Sequence, residues 1–193
     1  MKTIRNLMIT LFLLSSTCVL GQDKLEQEVR VKAQQVPLEA RKWLKDAFES
    51  VRKPKWYKEF SALDYSFEAK FKLKGRFHSV EFDSLGNVLD VEIEIEWESL
   101  SDEVKANLTS YFKGTLRGFK LEKIQIQYSG LLGYLEDFFD EEETDGVLIQ
   151  FEIEYQAEDQ SEVIRLWEGT FSSNGKFLAH RRIKVRELFN LSF

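Results

Sequence analysis

Oxygen-bearing side chains gather in two places. FDSLGNVLD, residues 82–90, sets Asp83, Ser84, Asn87 and Asp90 around Gly86. Further on, seven carboxylates fall close together, at Glu136, Asp137, Asp140, Glu141, Glu142, Glu143 and Asp145. Hard cations such as calcium take oxygen ligands from alternating loop positions, so both stretches raise the question of a metal. FDSLGNVLD misses the EF-hand spacing. Its counterpart FSSNGKFLA, residues 171–179, keeps the glycine and has no carboxylate. Their shared need is a residue that reaches positive φ in a hairpin bend, and the expected role is a turn. The acidic run stays open as a cation site with Asp140, Glu142 and Asp145 as ligands, as a partner-binding loop, or as a solvated, self-repelling loop.

Other chemistry is sparse. His78 and His180 are the only histidines and Cys18 the only cysteine. No serine sits in a nucleophile elbow and no residues have zinc-ligand spacing. The expectation is a protein that is not an enzyme and uses no cofactor. Pairing 65–73 with 76–82 across Lys74-Gly75 sets His78 near Phe71 on a covered face, as a satisfied histidine at the core rim.

The aromatic and charged residues suggest recognition instead. Trp56 and Tyr57 are adjacent in an expected strand, so they point to opposite faces. By the same alternation Phe77 and Leu166 face away from the helices. Asp90, Glu92, Glu94 and Glu96 line one strand, while His180, Arg181, Arg182, Lys184 and Arg186 fall in the matching region of the second half. The expected partner-binding set is Tyr57, Phe77, Glu92, Glu94, Leu166 and Arg182, on an open sheet face. The competing expectation is that the repeats, the insertion or a dimer partner covers it.

The elements behind these residues follow from periodicity. YSFEAKFKL (65–73), VLDVEIEIEW (88–97) and VLIQFEIEY (147–155) alternate apolar and polar residues, as strands with one covered face do. VPLEARKWLKDAFESV carries a helical stripe of Ala40, Trp43, Leu44, Ala47, Phe48 and Val51, with Pro37 suited to its start. LSDEVKANLTSYFKG carries Val104, Leu108, Tyr111 and Phe112, with Ser101 as N-cap and Asp102 and Glu103 at the positive end of the dipole. The two helices align without a gap at an offset of 64 residues, Ala40 on Val104 and Phe48 on Phe112. Phe82 and Gly86 then match Phe171 and Gly175. Each half reads as a helix followed by four strands, an internal duplication.

Residues 1–21 read as a signal peptide, with Lys2 and Arg5, an apolar run from Leu7 to Leu14, and small residues before Gln22. The run is too short for a membrane span. Cys18 would be a lipidation site only if cleavage fell just before it, and Ser15-Ser16-Thr17 is a poor lead-in. Removing 21 of 193 residues takes away two basic residues and no acidic one, and moves the net charge from −6 to −8. That balance disfavours nucleic acid, and the remaining chain has no disulfide to rely on. The expected divisions are 1–21 signal peptide, 22–35 amino-terminal arm with a short extra strand, 36–97 first repeat, and 98–193 second repeat with an acidic insertion near 129–146.

The VP-led helix, the Lys-Trp-Tyr strand at 55–57 and the phenylalanine–turn–glycine–asparagine hairpin of the first half resemble the PepSY-like, β-lactamase-inhibitor-like domains of secreted bacterial proteins. KIQIQYSG and the second hairpin extend the resemblance over roughly residues 36–185. It implies an α+β fold of two repeats, each a helix packed on a four-stranded antiparallel sheet. It also implies export to a periplasm or beyond, and it assigns no reaction. The expected function is an exported, non-enzymatic protein that binds a protein or peptide on its open sheet face, with an inhibitor-like role implied by the resemblance alone. The alternatives are a cation-binding envelope protein and a self-assembling structural component.

Overall fold

The computed structural model describes residues 24–26, 28–60, 64–141 and 145–185. The expected signal peptide, with Cys18, lies outside them, as do Glu142 and Glu143.

Ten strands and three helices are seen among the described residues. The strands are β1 (Lys24–Glu26), β2 (Glu28–Val31), β3 (Lys55–Phe60), β4 (Tyr65–Leu73), β5 (Arg76–Phe82), β6 (Val88–Glu94), β7 (Phe119–Gly130), β8 (Val147–Glu158), β9 (Ile164–Ser172) and β10 (Phe177–Val185). The helices are α1 (Leu38–Ala47), α2 (Asp102–Thr115) and α3 (Leu132–Glu141). From β2 to β10 the strands form one antiparallel sheet in chain order, and β1 adds to the β10 edge in parallel.

This corrects the expectation of two repeats, each a helix on its own four-stranded sheet. The decisive contact is β6 against β7, paired from Asp90↔Ser129 to Glu94↔Gln125, which fuses the halves into one sheet. The physical cause is edge satisfaction: two separate sheets would each leave β6 or β7 with unpaired backbone groups. The insertion binds the halves further. Its helix α3 leaves the second half and docks on the first, where Leu135 is fully buried and Phe139 lies 5.0 Å from Phe48.

The helices cover one face of the sheet. Under α1, Trp43, Leu44 and Phe48 pack on Trp56, Phe67 and Phe82. Under α2, Leu108 and Phe112 pack on Ile153, Tyr155 and Phe171. Ser101 caps α2 as expected, its Oγ accepting from the Val104 N–H at 3.3 Å. Each long hairpin also presses its glycine onto a helix. Gly86 has φ +97°, and a Cβ there would stand 2.9 Å from the Ala40 nitrogen; at Gly175, φ +80°, it would stand 2.9 Å from the Val104 carbonyl oxygen.

Candidate functional site

The face opposite the helices is not flat. Glu28 on β2 and Glu168 on β9 line one cavity of about 300 Å³. In a flat sheet, seven strand spacings would hold these strands roughly 34 Å apart. The sheet therefore curls its inner face around a narrow groove. Chain connectivity requires the same: β1 pairs with β10 and β2 with β3, yet Glu26 and Glu28 are two residues apart, about 7 Å at most.

The groove is acidic. Eight glutamates line it (28, 59, 68, 92, 94, 152, 154 and 168), against Lys70 and Lys123, with Phe77, Ser79 and Gln125 between them. All arise from the alternation that buries the opposite side chains: His78 is covered while Phe77 is 58% exposed. Glu168, only 4% exposed, is held by the Arg181 guanidinium. Gln125 Nε2 donates to Glu92 at 2.7 Å, and Gln127 Nε2 donates to Glu152 at 3.0 Å and to Asp90 at 3.3 Å. Burial, then Glu168 and Glu92, push the Glu152 carboxyl up to about 8. Burial and the neighbouring carboxylates also raise Asp90 well above the usual range.

Lys70 anchors the β4 side. Burial opposes its charge, but Glu68 and Glu28 outweigh that and raise its pKa. Carboxylate oxygens of Glu28, Glu59 and Glu68 lie within 4.8 Å of one another, a spacing a cation could use. The Lys70 ammonium already sits among them, 2.9 Å from Glu68 and paired with Glu28, so the local charge is met by the protein itself.

The expected binding residues divide. Phe77, Glu92 and Glu94 line the groove. Tyr57, opposite Glu68, lies on the same face with the Lys70 ammonium 5.0 Å from its ring, and Leu166, opposite Gln156, faces the same way. Arg182 does not join them. It pairs with Trp167, on the helix side, because a bulge between Phe177 and Ala179 shifts the register by one residue and so exchanges faces. Arg181 takes the inner position. From the sequence Arg181 stands out only within the basic stretch 180–186, and Glu152 and Glu168 are not named; the polar positions of the 147–155 alternation mark Glu152, whereas no residue pattern marks the bulge.

The other candidates resolve into structure. Asp83 spends its oxygens on the turn: Oδ1 accepts from the N–H groups of Leu85 and Asn87 at 2.9 and 2.8 Å, and Oδ2 accepts from Asn87 Nδ2 at 2.7 Å. Ser172 serves the equivalent turn, accepting from the Lys176 N–H at 3.1 Å. His78 Nδ1 lies 3.1 Å from the Arg76 carbonyl oxygen, and the ring stacks on Phe71. Of the acidic run, Asp145 is exposed, Asp140 is placed by its backbone alone, and Glu142 falls outside the described residues.

No protein-family model and no curated protein matches the chain. Solved structures do. A DUF2874 family protein from Bacteroides ovatus is similar over 80% of this chain and 93% of its own, at 13% identity and TM-score 0.53. A BLIP-like protein from Bacteroides fragilis is similar over 77% and 86%, at 17% identity and TM-score 0.49. A protein from Bacteroides eggerthii, provisionally described as periplasmic, is similar over 76% and 88%, at 12% identity and TM-score 0.49. At these identities the likeness is one of fold. No helix among the described residues is long and apolar enough to cross a membrane.

Proposed function

We propose that this chain is an exported, non-enzymatic binding protein that takes a basic stretch of a protein or peptide partner along its inner groove. The observation that carries this is the charge of the groove wall, eight glutamates against two lysines around about 300 Å³, with Phe77 exposed beside them. A lysine or arginine side chain complements this acidic wall, and its aliphatic stem can lie against an aromatic ring. The space suits an extended segment rather than a folded domain. The leader-like residues 1–21 support a periplasmic or secreted location. The Gly86–Ala40 and Gly175–Val104 contacts support descent of residues 36–97 and 98–193 from one duplicated PepSY-like segment, merged since into a single sheet.

Calorimetric titration with lysine-rich and glutamate-rich peptides of equal length tests the function. The basic peptide should bind saturably, more weakly as salt rises, and at least tenfold more weakly to Phe77→Asp or Tyr57→Asp. Equal binding of both peptides, or binding untouched by both replacements, would overturn it.

A further inference from the structure

We propose that Lys24–Glu26 and Glu28–Val31 form a strap that closes the curled sheet, and that its second strand lifts from the β3 edge to admit a ligand to the inner groove. The entry route rests on the groove being the binding site; the strap itself does not.

Three features define it. First, the segment spans both edges of the sheet at once: Lys24–Glu26 lie parallel to Ile183–Val185, while Glu28–Val31 pair with Trp56–Glu59. One residue separates the two pairings, so the segment bridges the seam of the ring. Second, the hold is shallow. Glu28, Val29 and Arg30 are exposed, and Val31 is the side chain of β2 that packs on a core. Short, poorly buried ladders open locally at a fraction of the global unfolding free energy. Third, the strap reaches into the groove. The Glu28 carboxylate crosses β3 to pair with Lys70, beside Glu68 and under the Tyr57 ring. Glu28 thus stands where a ligand would pass. Lifting β2 removes that carboxylate from the mouth, frees Lys70 to turn, and bares the β3 edge, to which an extended partner can add as a strand.

A reversible lock tests this. Val29 and Lys58 are directly paired on the helix side, away from the groove, at the separation expected of opposed strand residues. The Val29→Cys, Lys58→Cys double variant of the chain from Gln22 onward contains no other cysteine, so oxidation fastens the strap and reduction releases it. The first readout needs no ligand: carbodiimide labelling of groove carboxylates, followed by mass spectrometry. Labelling of Glu92 and Glu152 should fall at least threefold on oxidation, and should rise in the single variant Glu28→Gln, which covers the case in which the disulfide fails to form. The second readout is the association rate of a lysine-rich peptide, which should fall at least tenfold on oxidation. Labelling unchanged by both the lock and Glu28→Gln overturns the strap, whatever the peptide does. Changed labelling with no peptide binding to either form upholds the strap and refutes the basic-ligand function instead. Peptide binding at equal rates to both forms, with labelling changed, overturns the strap as the entry route.

Discussion

Glu92 on β6 and Glu152 on β8 bring like charges together across β7, on a face that also carries Asp90 and Glu168. Burial among these like charges keeps the Glu152 carboxyl protonated well above the ordinary glutamate range. Opposite them, the helix side of the same strands is apolar, so the sheet divides a hydrocarbon layer from a titrating one.

Stability should therefore fall as pH rises from about 4.5 to about 8. Glu152 titrates near 8 in the folded chain against 4.5 for a free glutamate, so across this window the native state holds a proton that the unfolded state has released. Stability is full below the window, declines through it and levels off above. Urea denaturation at pH 5 and pH 8.5 should differ by about 4 kcal/mol, and Glu152→Gln should flatten the difference. Below about pH 4 the sign reverses, because turn hydrogen bonds hold Asp83 and Asp159 below the ordinary aspartate range.

Neighbouring arginines should behave oppositely. Arg181→Met takes the guanidinium from a carboxylate that is 4% exposed and should cost about 3 kcal/mol. Arg182 has a buried Nε without a hydrogen-bond partner, so Arg182→Met should stay within about 0.5 kcal/mol of the parent or stabilise it. Equal losses would contradict the bulged register of β10.

Glycine substitutions should separate backbone strain from contact. Gly75, at φ +85° with open space around it, should lose about 1 kcal/mol on replacement by alanine. Gly86→Ala and Gly175→Ala add collisions with α1 and α2 at 2.9 Å and should each lose about 2 kcal/mol or more. Denaturation midpoints measure all three.

Leu135→Ala should cost about 3 kcal/mol, since Leu135 is fully buried and its loss leaves a cavity. The loss should appear around Trp43, which shares that cluster, as altered tryptophan fluorescence. A change below about 0.5 kcal/mol would mean that α3 is not part of the first core.

Alternation made the faces legible. The run 65–73 is β4 as expected, the pattern at 147–155 continues to Glu158 in β8, and that at 88–97 stops at Glu94 before a short turn. Alternation says which way a side chain points but not which strand lies beside it. The β6–β7 junction and the curl were therefore hidden, and two fourfold sheets seemed sufficient. The same limit misplaced Arg182: counting by twos from Leu166 works until one extra residue enters β10, and backbone register, not composition, decides that. Of the groove, the outward carboxylates of β6 could be read from the sequence. Their meeting with Glu152 and Lys70 could not, because it depends on curvature. In α3, Leu135 and Phe139 pack on the first core, and nothing in the spacing of the acidic insertion names the half on which it docks.

The seam between β1 and β10 joins the first described strand to the last. A chain made from its amino end thus presents its opening segment long before the partner of that segment exists. Strands β3 to β9 can pair with neighbours as they appear, each with the strand next to it in the chain. Residues 24–26 have no partner until Ile183–Val185 have been made. Ring closure is then the terminal event of maturation, and a chain truncated within β10 should assemble both cores yet leave its amino end unfastened, where proteases can find it.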